Sequence, residues 1–171
     1  MKRYALLAAL LLAACVPDYP STRYATAPFY LQPVDAGVLE GTWYEIARFP
    51  GPFGQGCSHT TASYTAPVDG VVGVTNRCRV DGQTVQITGT AVADGPGQFK
   101  VRLEGVPFRG DYWVLDVADG GRTLLVGTPS RLTGWVLHRD RRMTPQQIDH
   151  AEVVFGRNGY DVAALQRTDQ R

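Results

Sequence analysis

The side chains of this chain that could carry covalent or metal chemistry are few: Cys15, Cys57 and Cys78, and His59, His138 and His150. A thiolate nucleophile needs an imidazole beside it, and a metal needs ligands at short, repeated spacings. Neither pattern is written here. Cys57 and Cys78 have no Cys-x-x-Cys neighbour, and His59 is the only imidazole near them in sequence. Asp140 and Asp149 could orient a histidine, but no nucleophile stands at a useful spacing. There is no Gly-x-Ser-x-Gly elbow, no P-loop and no His-Glu-x-x-His pair, and Gly54-Gln55-Gly56 reads as a loop. These residues predict no catalytic group, no metal and no cofactor. What remains for the thiols is acylation and pairing.

The context of Cys15 points to acylation. Met1-Lys2-Arg3 is a short positive end, and Ala5 to Leu12 is an apolar run. That is the layout of a secretory signal, and the run is too short to span a bilayer, which takes roughly 20 apolar residues. Leu12-Ala13-Ala14-Cys15 resembles the bacterial lipobox. The resemblance implies that the thiol is acylated, that the peptide is cut just before Cys15, and that the new amino end is acylated too. More than one acyl chain makes a stable anchor. The alternative is an ordinary signal peptide with an incidental cysteine. Val16 follows, with no Asp to retain the chain at the inner membrane, which favours the cell outer membrane, periplasmic face. The expected organisation is a signal peptide over 1–14, a tether over 15–34 that includes Pro17, Pro20, Pro28 and Pro33, and one domain over 35–171.

In an oxidising compartment Cys57 and Cys78 form an even pair. The turn Ala66-Pro67-Val68-Asp69-Gly70 lies midway between them. A hairpin folded there sets the two cysteines on neighbouring strands, so a disulfide is expected, with two free thiols as the alternative.

The elements that must position these groups are short strands. The chain has 19 Gly and 11 Pro and a formal net charge of +1, so no global field favours nucleic acid as a partner. From Gly41 onward, alternating segments are bounded by turn residues. The pattern predicts strands over 42–49, 58–65, 71–80, 84–92, 98–104, 111–117, 122–128 and 135–139. Eight strands joined in order by short turns close naturally into an antiparallel up-and-down β-barrel, which removes its own edges. One helix follows. Thr144 is its N-cap, Pro145 its first residue, and Gln147 completes a capping box, with Met143 placed to staple onto Ile148. Ile148, Ala151, Glu152 and Phe155 share a face that can pack outside the barrel, and Gly156 is expected to stop the helix.

Gly41-Thr42-Trp43-Tyr44-Glu45-Ile46-Ala47-Arg48 resembles the first signature of the lipocalin family, and its longer string is similar to the bacterial outer-membrane, apolipoprotein D-like branch. Pro107-Phe108-Arg109-Gly110-Asp111-Tyr112-Trp113-Val114-Leu115 resembles the approach to strand six of the same group. Gly134-Trp135-Val136-Leu137-His138-Arg139 is similar to its third signature. The stretch Val117-Ala118-Asp119 departs from the Thr-Asp-Tyr that many members carry. The resemblance covers residue 35 to the C-terminus. It implies that Gly41, Trp43 and Arg139 close the base of the barrel. An indole covers the opening, and a guanidinium can stack on its face and bond nearby carbonyls. The alternative is a core Trp and an unrelated surface Arg.

Alternation then assigns the lining of the cup. Trp43 inward implies Glu45 and Ala47 inward, with Tyr44 and Ile46 outward beneath the helix. Phe99, Val101 and Leu103 oppose Lys100, Arg102 and Glu104. Both faces of strand six are apolar, and the resemblance favours Tyr112 and Val114 inside. Trp135 and Leu137 share parity with Arg139, whereas His138 faces solvent. Arg139, Arg141 and Arg142 read as a solvated strand end. Glu45 is costly inside an apolar cup unless paired, whether with a tyrosine, an arginine or a ligand head group. Such a cup suits a fatty acid or lysophospholipid, each buried CH₂ contributing about 0.8 kcal/mol. The implied function is a membrane-anchored lipid-binding protein. The alternatives are an enzyme on the same barrel acting on a hydrophobic substrate, or a ligand-free envelope scaffold.

Overall fold

Two Asp-Gly dipeptides shape the first hairpins. In the computed structural model, which describes residues 28–51 and 54–171, Asp69 and Gly70 take φ of 51° and 76°, and Asp81 and Gly82 take 51° and 78°. Both central residues of each turn are left-handed, which matches a two-residue turn to the twist of the flanking strands. These turns join β2 (Ser58–Tyr64), β3 (Val71–Val80) and β4 (Gln83–Gly95). The meander continues through β5 (Gln98–Leu103), β6 (Gly110–Ala118), β7 (Thr123–Gly127) and β8 (Gly134–His138). β1 (Gly41–Arg48) pairs antiparallel with both β8 and β2 and closes the ring. The eight-stranded antiparallel barrel is thus formed, with α1 (Pro145–Arg157) outside it. A ninth strand, β9 (Gln166–Arg167), had no signal in the sequence and pairs with the end of β1.

Alternation splits the apolar residues into two layers. Trp43, Phe99, Val114, Leu124, Val126 and Leu137 belong to the core inside the barrel. Ile46, Leu115, Leu125 and Val136 belong to a second core between the wall and α1, with Ala151, Val154 and Phe155 of the helix. Neighbours such as Leu124 and Leu125 therefore serve opposite faces, which is why β7 is buried throughout.

Regular alternation fails once in β1. Glu45 lies opposite Leu137 but Ala47 lies opposite Val136, so Ile46 is an extra residue at a β-bulge. Ala47, expected to face the cup, joins Ile46 in the outer core. The bulge returns Arg48 to the side of Glu45.

The helix begins as the sequence predicts. The Thr144 side chain accepts from the Gln147 N–H, and the Gln147 side chain accepts from the Thr144 N–H. Gln147 also donates to Asp119 in the β6–β7 turn. Its end differs from expectation. Gly156 lies within the helix, the C-cap is Asn158, and Gly159 takes the left-handed φ of 79° that turns the chain away. A glycine inside a helix costs about 1 kcal/mol and does not stop it. Glu152, expected on the packed face, is exposed, and Val154 is buried in its place.

The end of the predicted tether is part of the domain. Phe29 packs edge-on against Trp113, with the Arg131 guanidinium over its ring. The Gln32 N–H donates to the Val114 carbonyl, and the Gly97 N–H to that of Val34. β5 starts opposite Trp113; beyond it the Val114 N–H donates to the Gly97 carbonyl, and its own carbonyl is taken by Gln32. Residues 1–27, with the predicted signal peptide and Cys15, lie outside the described residues.

Candidate ligand cavity

The barrel has a filled end and an open end. At the filled end a 3-10 turn, Ala36–Leu39, passes beneath the strands. The Trp43 indole N–H donates to the Leu39 carbonyl at 2.7 Å. Arg139 lies 3.5 Å over the Trp43 ring and donates to the carbonyls of Thr42 and Glu40. Gly41 takes φ of 94°, and a Cβ there would sit 3.0 Å from Arg139 Nη1, so glycine makes room for the guanidinium.

Above this floor is a cavity of about 360 Å³. Its wall is built by Tyr64, Val74, Ile87, Val101, Leu103, Tyr112, Trp135 and Leu137, and Val106 and Phe108 stand at its rim. The Tyr64 hydroxyl donates to that of Tyr112 at 3.1 Å. Burial pushes Tyr64 up to about 12 and holds Tyr112 well above the usual tyrosine value, so both are neutral donors at ordinary pH. Trp135 stacks parallel to Tyr112.

Glu45 also lines the cavity, and its charge is satisfied by protein. Arg48 Nη1 donates to Glu45 Oε1 at 2.7 Å, and the Thr168 hydroxyl donates to the same oxygen at 2.6 Å. Of the three partners weighed for Glu45, an arginine provides the pairing.

The C-terminal residues complete the wall at this point. The β1–β2 ladder ends at Tyr44 opposite Thr61, and the strands then diverge. Gln170 Nε2 fills the gap, donating to the carbonyls of Glu45 on one side and Thr60 on the other. The Thr168 N–H donates to the Ile46 carbonyl and the His59 N–H to that of Asp169. The sequence reading missed Arg48, Thr168 and Gln170. Only Arg48 had a signal: an arginine three residues from an inward carboxylate meets it if the strand bulges between them.

Cys57 and Cys78 form a disulfide, which ties the loop after β1 to the end of β3 beside the open end. Among the described residues no group of His, Cys, Asp and Glu is placed to hold a metal ion.

Comparison with known families agrees with this geometry. The lipocalin-like domain profile matches residues 34–170. The chain belongs to the lipocalin family. This lipocalin is 33% identical over 161 residues to the outer membrane lipoprotein Blc of Escherichia coli K12, covering 91% of this chain and 88% of that one. It is 32% identical over 141 residues to temperature-induced lipocalin-1 of Arabidopsis thaliana, covering 76% of each. Apolipoprotein D of Macaca fascicularis is 28% identical over 156 residues, covering 85% of this chain and 82% of its own. Among solved structures, the cockroach allergen Per a 4 superposes with a TM-score of 0.68 at 18% identity, covering 84% of this chain and 93% of that one, a likeness of fold.

The structure places the remaining predicted residues of this lipocalin plainly. Glu45, Val101, Leu103, Tyr112, Trp135 and Leu137 line the cavity. Phe99 and Val114 point inward but belong to the packed floor, because the floor residues Trp43, Leu124 and Val126 fill the barrel at their level. Ala47 lies outside, through the bulge. His138, expected in solvent, is buried: the chain after β8 folds back, and the Asp140 N–H donates to its Nδ1 at 2.9 Å. His150 pairs with Asp116 at 2.6 Å, pinning α1 to β6, and neither Asp140 nor Asp149 orients it.

Proposed function

We propose that this lipocalin is an outer-membrane lipoprotein, acylated at Cys15, that holds one fatty acid, lysophospholipid or similar amphiphile in its cavity without converting it. The observation that carries the reading is the cavity itself: about 360 Å³, walled mainly by apolar and aromatic side chains, with Glu45 already paired with Arg48 and Asp111, also in its lining, paired with Lys100. Apolar burial supplies affinity there. Among the described residues no histidine or cysteine thiol meets Glu45 to make a catalytic pair; both cysteines beside the cavity are in the disulfide. The similarity to a protein named outer membrane lipoprotein over 91% of this chain supports the anchor and the compartment. Cleavage before Cys15 would leave residues 15–27 as the tether.

The test has two parts. Mature protein purified from membranes, delipidated and titrated with a fluorescent fatty acid, is expected to bind it and to release it to lysophospholipid. Failure to bind either would remove the carrier reading in favour of a ligand-free scaffold. Multiple-turnover product formation from fatty acids, lysophospholipids or oxidised lipids would promote the enzyme. Cys15→Ser is expected to leave an uncut, unacylated precursor, and a normally processed, membrane-bound form of that variant would refute the anchor.

A further inference from the structure

The described N-terminal segment enters the domain beside the open end. Phe29 lies under Arg131, in the loop that joins β7 to β8 at the rim. The Tyr30 N–H donates to the side chain of Asn158, at the end of α1 that reaches the same loop, where Arg131 donates to the Asn158 carbonyl. From there the chain runs along β6 to Val34 and passes beneath the floor. A chain leading back from Phe29 towards Cys15 therefore starts at the rim. The 13 residues 15–27 span at most about 45 Å when fully extended.

The rim has the chemistry of a membrane-surface contact. Phe108 is 58% exposed, Leu132 47% and Val85 45%. Arg79 and Arg109 stand exposed on the same end, with Arg131 half-buried; Asp81, Glu104 and Asp169 are exposed acids there, and Asp169 is paired with Arg171. Apolar side chains ringed by arginines suit the boundary of an anionic bilayer, where the former enter the acyl edge and the latter meet phosphates. A second exposed apolar group, Val68, Val71 and Val92, lies at the filled end. Lys100, opposite Val92, is held by Asp111 and Asp94; the filled end also presents Arg141, which lies over the Tyr44 ring, and the exposed Arg142.

We infer that the open rim docks on the anionic phospholipid surface that holds this chain's own anchor, so that the cavity opens onto the bilayer and an amphiphile can pass between them without crossing water. This rests on the anchored-carrier reading for the source of the surface. Placement of the rim on lipid is tested separately from ligand binding. Acylated mature protein is reconstituted into vesicles of phosphatidylethanolamine and phosphatidylglycerol. Each molecule carries one nitroxide, at Leu132→Cys, Phe108→Cys, Val68→Cys or Val153→Cys. Collision with oxygen, which partitions into lipid, is compared with collision with an aqueous nickel chelate. Labels at 108 and 132 are expected to face lipid, and those at 68 and 153 to face water. The inference falls if 108 and 132 are as aqueous as 153, or if 68 is the lipid-facing site. Arg79→Glu with Arg109→Glu is expected to lose the contact at 132 while fluorescent fatty-acid binding in solution persists; contact undiminished by the reversal would overturn the role of charge. Lipid contact by a protein that binds no fatty acid would support docking and remove the carrier, and binding without contact would do the reverse.

Discussion

Arg139 lays its guanidinium over the Trp43 indole while it holds the carbonyls of Thr42 and Glu40, so one side chain joins the end of β8 to the start of β1. Trp43 is fully buried and fixed from below by Leu39. The floor of the barrel is thus sealed by an aromatic plane and a planar cation, and the space above it stays open.

Arg139→Ala is expected to lower stability by about 2–3 kcal/mol, combining a cation–π contact of about 1 kcal/mol with charge-assisted bonds to two carbonyls. Arg139→Lys should recover little, because an ammonium has no plane to stack and no fork to span both oxygens. Denaturant unfolding of both variants measures this; full recovery by lysine would show that charge alone matters.

Arg48→Ala leaves the buried Glu45 carboxylate with the Thr168 hydroxyl as its remaining side-chain partner. Removing one member of a buried pair typically costs about 3–5 kcal/mol. The double variant Arg48→Ala with Glu45→Gln is expected to be more stable than Arg48→Ala by itself, and a thermodynamic cycle gives the coupling. Additive losses would mean that the pair contributes nothing.

Leu103 lines the cavity, whereas Lys100 on the same strand pairs outside with Asp111 and Asp94. Leu103→Arg should weaken fatty-acid binding at least tenfold, a charge in an apolar cup costing more than the 1.4 kcal/mol that a decade requires. Lys100→Glu should leave binding near the parent value. Equal losses in the fluorescent titration would contradict the assigned faces.

The Cys57–Cys78 bridge closes a loop with a sequence separation of 21. Replacing both cysteines by serine should cost on the order of 3 kcal/mol through loop-closure entropy. Intact mass with and without reduction, followed by unfolding of the double variant, provides the check.

Tyr64 and Tyr160 are each pushed up to about 12 by burial, and Tyr112 is raised as well. In the unfolded chain these phenols ionise near 10. A raised folded value stabilises the fold fully below pH 10 and loses that contribution as pH climbs from about 10 to 12. The unfolding free energy should therefore fall steeply over that window, and Tyr64→Phe with Tyr112→Phe should flatten part of the fall. An unchanged slope in the double variant would assign the alkaline loss elsewhere.

The strand order was legible because each turn has its own chemistry. Asp69-Gly70 and Asp81-Gly82 can do little else than reverse a chain, and the capping box at Thr144 and Gln147 needs only four consecutive residues. Parity was legible wherever one face is apolar and the other charged, as along Phe99 to Glu104. Local sequence thus determined the barrel, its helix and its disulfide, and the family resemblance of its signatures implied the sealing pair. Tertiary structure decided what depends on partners distant in the chain. The bulge at Ile46 is set by how β8 pairs with β1, and it moves Ala47 out of the cup and turns Arg48 towards Glu45. Phe99 and Val114 were assigned the correct face, but the depth of the floor depends on how Trp43, Leu124 and Val126 fill the barrel together. Gln170 joins the wall from 125 residues away in sequence, through hydrogen bonds to backbone carbonyls that carry no side-chain pattern. Periodicity reports which way a side chain points; only the assembled packing decides what it meets there.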